Sequence, residues 1–181
     1  MNLSNKLTVT RLLLAPLFLF SFLYGNSYGR LFATLIIIIA AITDMLDGKI
    51  ARKRGEITLF GKAVDPIADA IFFVTVFVCI AAHNWAPYWL VYLIVLREVF
   101  MSMYLRPILI LRKADVAAKM HGKIKTVVQS IVGIVLIFTS AIISPDYPWI
   151  KIVSTAIMLP VAALSLGSLK PYIEATLSDK S

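Results

Sequence analysis

The chain of 181 residues is 60% hydrophobic and 15% charged, and its formal charge is +8; the mean hydropathy is +0.86. That composition excludes a soluble domain closed around its own core and assigns the chain to the membrane. The basic residues fall in connections between apolar runs, so anionic head groups and phosphorylated substrates are the expected partners and nucleic acid is not.

At about 20 apolar residues per crossing, the length accommodates roughly six spans and a single domain over residues 1–181. Residues 1–11 are polar with Leu3, Leu7 and Val9 interleaved, a pattern that suits a short helix at the membrane surface. Residues 12–24 are apolar with Pro16 inside, and no small-residue cleavage site follows; a retained first span is expected. Residues 25–29 form a turn, and the second span begins at Leu31, running apolar to Ile42. Residues 49–62 are a basic connection with Gly55 as its break, and a third span over 60–82 carries Asp65 and Asp69 in its first turns. Pro66 is placed near that helix start, where a missing backbone donor costs least. A neutral, aromatic connection leads to a fourth span over 88–111, which contains Arg97, Glu98 and Arg106. A second basic connection, a fifth span over 126–143, a Pro-containing turn and a sixth span over 152–169 complete the chain. Only Arg30 and Lys151 lie in the connections on one side, so the positive-inside rule sends both termini to the cytoplasm, in the cell inner membrane. The lone Cys79 sits in an apolar run and is expected to be a small buried hydrophobe. His83 and His121 are loop residues with no expected chemistry.

Four carboxylates interrupt this apolar pattern. Asp44 and Asp47 are three apart and Asp65 and Asp69 four apart, so each pair projects from one helix face. Two helices joined by a turn bring all four to the cytoplasmic end of the bundle, where so much negative charge requires a cation. Oxygen ligands without clustered His or Cys favour Mg²⁺ or Mn²⁺ over Zn²⁺. Gly48 and Gly61 leave room for a phosphate to approach the backbone, and Arg52 offers a planar, permanently charged fork for its oxygens.

Asp44, Asp47, Gly48, Ala51, Arg52, Gly61, Asp65 and Asp69 match D-x2-D-G-x2-A-R-x8-G-x3-D-x3-D at every fixed position. On these residues the chain resembles the CDP-alcohol phosphatidyltransferase family. The resemblance implies an all-α membrane bundle of six spans with a short N-terminal juxtamembrane helix, commonly a homodimer. It implies that Asp44, Asp47, Asp65 and Asp69 share a metal site, and that Gly48, Ala51, Arg52, Thr58 and Gly61 hold CDP-diacylglycerol. Asp69 is implied to be the general base for the acceptor hydroxyl.

For the acceptor, Arg97-Glu98, Arg106 and the stretch from His121 through Gly122, Lys123, Lys125 and Thr126 to Gln129 resemble the phosphatidylglycerophosphate synthase branch. So does the N-terminal stretch with Asn5, Thr8 and Arg11 followed by Pro16. Glycerol 3-phosphate is a dianion near neutral pH, and a pocket built from Arg97, Arg106, Lys119, Lys123 and Lys125 suits it. Arg97 lies inside an apolar span and needs a partner. Glu98 points elsewhere on the helix, so a substrate phosphate or a carboxylate of the Asp cluster is the expected partner. Two positions depart from the branch: Ala70 stands where a Lys usually follows the last Asp, and Arg106-Pro107 stands where Arg-Glu is more common. The alternatives are another acceptor, namely inositol phosphate, phosphatidylglycerol or serine, or a divalent-cation transporter. A transporter would need acids along a path through the bilayer, and the fifth and sixth spans contain none.

Overall fold

The computed structural model describes residues 3–54, 59–111, 120–144, 146–170, 172 and 173, excepting the side chains of 3–7, 45–54, 59–63, 110–111 and 120–123. Among these residues the structure is helical, with no strand. In order come α1 (Leu3–Tyr24), α2 (Ser27–Arg54), α3 (Leu59–Ala82), α4 (Tyr88–Phe100), a π-helical turn (Met101–Leu105), α5 (Arg106–Leu111), α6 (Met120–Ile142) and α7 (Pro148–Gly167). The stretch from α4 through the π turn to α5 is one continuous rod, giving the six rods that the apolar runs predict. Helices are the expected solution in lipid, because each satisfies its backbone polar groups internally. Five rods are long and apolar enough to cross a bilayer, and α1 contributes a shorter apolar helix over Thr8–Tyr24. The protein is an all-α, multi-pass membrane protein.

The surface helix expected for residues 1–11 is continuous with the first span as α1. Its buried residues Thr8, Arg11, Ala15, Phe18 and Phe22 recur at alternating intervals of three and four, so one stripe faces the bundle along its length. Phe18 and Phe22 stack with ring centroids 5.8 Å apart. α1 packs on α2 and α3, α2 on α6, α4 on α3 and α7, and α6 on α7. α3 is the central rod, and Phe72, Val76, Phe77 and Ile80 supply much of the core. Large apolar side chains such as Leu13, Phe20, Ile39 and Phe138 face outward, where lipid replaces water as the solvent.

The turns are set by local chemistry. Asn26 Oδ1 accepts from the Tyr28 N–H at 3.1 Å, which caps the start of α2. A Cβ at Gly29 would lie 2.6 Å from the Ser21 carbonyl oxygen, so only glycine permits the close approach of α1 and α2. At the end of α3, Asn84 takes φ 61° and the Trp85 N–H returns to the Ile80 carbonyl at 3.0 Å, a left-handed stop that asparagine tolerates. The expectation for Pro66 is corrected: it lies inside α3, about two turns from the start at Leu59. The helix begins within one residue of the expected start, so Pro66 stands beyond its first turn. A proline interrupting the hydrogen-bond ladder is tolerated there because neighbouring rods surround it.

Candidate active site

The buried stripe of α1 carries Thr8 and Arg11 to the end of the bundle where α2 and α3 hold their carboxylates. Arg11 Nη2 pairs with Asp44 Oδ1 at 2.9 Å, and its Nη1 donates to Asp69 Oδ1. Thr8 Oγ1 donates to Asp65 Oδ1. Asp65 and Asp69, one helical turn apart on α3, and Asp44 from α2 are therefore gathered around one face of α1. Arg11 itself is 3% exposed, so its charge is enclosed and compensated by the two carboxylates it joins.

On the other side of Asp69 a second cluster opens. Asp69 and Phe73 of α3, Arg97 and Glu98 of α4, Arg106 of α5 and Lys125 of α6 line a common cleft. Arg97 Nε donates to the Ser165 carbonyl at 2.9 Å and Nη2 to Ser168 Oγ at 2.5 Å. These groups belong to the C-terminal end of α7, where the helix dipole favours a cation. Arg97 Nη1 also lies 3.2 Å from Glu98 Oε1, and Lys125 Nζ donates to the same oxygen. The expectation that Arg97 would turn to a substrate or to the Asp cluster instead of Glu98 is thus corrected. Adjacent helical residues diverge at Cβ, but the guanidinium is long enough to reach back, and Lys125 draws the Glu98 carboxylate into the same space. Arg106 is half-buried and forms no ion pair among the described residues. Three cations, Arg97, Arg106 and Lys125, face two carboxylates, Glu98 and Asp69, so the lining carries one positive charge in excess.

The structure thus brings together Asp44, Asp65 and Asp69 at one cluster, and Arg97, Arg106 and Lys125 at the next. The side chains of Asp47, Gly48, Ala51, Arg52, Gly61 and Lys123, and the whole of Thr58 and Lys119, lie outside the described residues. In the sequence Thr8 and Arg11 have a place only as part of a resemblance, and Ser165 and Ser168 have none. The three-four spacing from Thr8 to Phe22 was the available signal for the first pair, whereas nothing local marks the two serines. Gln129, one turn along α6 from Lys125, is fully buried with neither amide atom hydrogen-bonded among the described residues, an expensive arrangement that functional interiors tolerate.

Among the described residues no three of His, Cys, Asp and Glu form a metal site. The donor set nevertheless fits a hard cation: it is all oxygen, and the carboxylates of two different helices already converge on one positive group, Arg11. His83 packs edge-on against Phe22 at 4.7 Å, at the opposite end of α3.

The helical membrane bundle thus sets an acidic cluster beside a cationic cleft, with Asp69 common to both. The chain belongs to the CDP-alcohol phosphatidyltransferase family, which it matches over residues 1–166. It is 38% identical over 133 residues to a probable phosphatidylglycerophosphate synthase of Mycobacterium tuberculosis, covering 72% of this chain and 63% of the relative. The match thus takes in less than two thirds of that relative's length. A CDP-diacylglycerol–glycerol-3-phosphate 3-phosphatidyltransferase of Bacillus subtilis is 37% identical over 142 residues, covering 72% of this chain and 73% of the relative. One of the same name from Shigella flexneri is 30% identical over 183 residues, covering 98% of this chain and 96% of the relative.

Proposed function

We propose that the protein transfers the phosphatidyl group of CDP-diacylglycerol to the hydroxyl of sn-glycerol 3-phosphate, releasing CMP and forming phosphatidylglycerophosphate for phospholipid synthesis. The observation that carries this reading is the position of Asp69, whose carboxylate belongs to the acidic cluster through Arg11 and also lines the cationic cleft. A base there stands between a nucleotide-linked phosphorus on one side and an anionic acceptor on the other. The names of the Bacillus and Shigella relatives carry the same pair of substrates.

In this mechanism Arg97, Arg106 and Lys125 receive the phosphate of the acceptor, with Arg106 the cation that no carboxylate already holds among the described residues. The acceptor hydroxyl is then directed toward Asp69, which takes its proton. The oxygen forms a bond to the phosphorus bearing the diacylglycerol, the bond to the CMP oxygen breaks, and that electron pair leaves on CMP. Gly48, Ala51, Arg52, Thr58 and Gly61 are proposed to hold the CDP-lipid. Asp44, Asp47, Asp65 and Asp69 would hold Mg²⁺ or Mn²⁺, which would neutralise charge building on the pyrophosphate oxygens. Lys119 and Lys123 are proposed to extend the acceptor site. The site and both termini face the cytoplasm at the inner membrane, and the protein works as a homodimer.

The test is CMP release by purified protein given CDP-diacylglycerol and, separately, glycerol 3-phosphate, inositol phosphate, phosphatidylglycerol or serine, with and without chelator. Release with glycerol 3-phosphate alone, lost on chelation and restored by a divalent ion, is expected. Turnover with serine at a comparable rate would overturn the anionic-acceptor reading, because that alcohol brings no phosphate for the cationic cleft.

A further inference from the structure

The rod from α4 to α5 contains an irregularity beside the cleft. Within Met101–Leu105 the ladder widens, and the Arg106 N–H reaches the Met101 carbonyl, five residues back. Met101 and Ser102, both buried, line the cleft together with Arg97 and Arg106. Helical phase makes this arrangement depend on the wide turn. Arg97 and Arg106 are nine residues apart, and nine α-helical steps of about 100° would set them about 180° apart, on opposite faces. With five steps at about 4.4 residues per turn, the separation falls to about 90°, and both can face one cavity.

The residue that follows supplies a cause. Pro107 has no N–H, and in an unbroken α-helix its ring would press on the carbonyl four residues back, that of Met103. Met103 is the middle residue of the π turn. Widening the ladder moves that carbonyl away from the ring and spares the helix a kink. Pro107 is also a position where the chain departs from the Arg-Glu common in the branch it resembles.

We infer that Pro107 is a positioning residue for the acceptor: by holding Met101–Leu105 as a π turn it rotates Arg106 into the cleft. The inference rests on the reading of that cleft as the acceptor-phosphate site. Replacing Pro107 lets the rod relax toward regular α-helix and swings Arg106 toward lipid. Deleting Tyr104, a lipid-facing residue of the same turn that is 64% exposed, removes the extra residue. Eight α-helical steps then place Arg106 about 80° from Arg97, close to its original phase.

The experiment compares KM for glycerol 3-phosphate, KM for CDP-diacylglycerol and kcat in purified Arg106→Ala, Pro107→Ala, and Pro107→Ala lacking Tyr104. Both single variants should raise the acceptor KM by about ten- to a hundredfold, the loss of one charge-assisted contact, with little change in the CDP-diacylglycerol KM. The deletion should return the acceptor KM of Pro107→Ala toward that of the parent. A normal acceptor KM in Arg106→Ala overturns the phosphate reading of the cleft and this inference with it. An impaired Arg106→Ala beside an unaffected Pro107→Ala overturns this inference alone. If the deletion variant does not fold, the double variant Arg106→Ala, Pro107→Ala decides: it should be no worse than Arg106→Ala, and an additive loss overturns the positioning role.

Discussion

Glu98 offers the sharpest test of how the cationic cleft is held. Its Oε1 accepts from Lys125 Nζ and lies 3.2 Å from Arg97 Nη1, and all three residues are buried. Glu98→Gln keeps the shape and an acceptor oxygen but removes the charge, leaving two cations in the enclosed site without their carboxylate. Breaking a buried pair in this way costs about 3–5 kcal/mol. At roughly 2–4 °C per kcal/mol for a chain of this size, thermal unfolding in detergent should fall by about 6–20 °C. Adding Lys125→Met removes one of the stranded charges, so the double variant should be more stable than Glu98→Gln alone, with a coupling of about 1 kcal/mol or more. A shift in Tm below about 2 °C would mean that the pair contributes less than about a kcal/mol and that Glu98 does not hold the two cations in place. Strictly additive losses would refute the coupling, by showing that the two side chains do not depend on each other.

Three further outcomes follow from the same geometry. Asp69→Asn should lower CMP release by about 10²- to 10⁴-fold, the usual contribution of a general base, while equilibrium binding of CDP-diacylglycerol persists; near-normal turnover would remove Asp69 from that role. Ser168→Ala deletes the 2.5 Å hydrogen bond to Arg97 and should cost about 1.5–3 kcal/mol in thermal stability, with the acceptor KM rising as the guanidinium loses its anchor. Phe18→Ala empties a fully buried site in the core between α1 and α3 and should cost about 3–5 kcal/mol. It should leave both KM values unchanged, and a selective rise in one of them would tie the core to substrate binding.

Hydropathy and spacing determine a great deal here. Apolar runs of membrane-spanning length leave lipid-embedded backbone no choice but helix, so the rods are legible from composition alone. The spacing of Asp65 and Asp69 places both on one face of α3, and charge in lipid forces that face, like the one carrying Asp44, inward. What the linear pattern leaves open is which distant group answers each charge. Arg11 precedes the carboxylates it joins by more than thirty residues in sequence, and only the packing of α1 against both α2 and α3 sets it between Asp44 and Asp69. Arg97 is answered by the end of α7 because α4 and α7 pack together, and Ser165 and Ser168 look like ordinary small residues until that contact exists. The phase of Arg106 likewise cannot be read by counting α-helical steps, because a local widening of the ladder resets the count. Local chemistry thus determines where the chain is helical and which faces are charged, whereas the pairing of those charges is a property of helix packing and exists only once the bundle has formed.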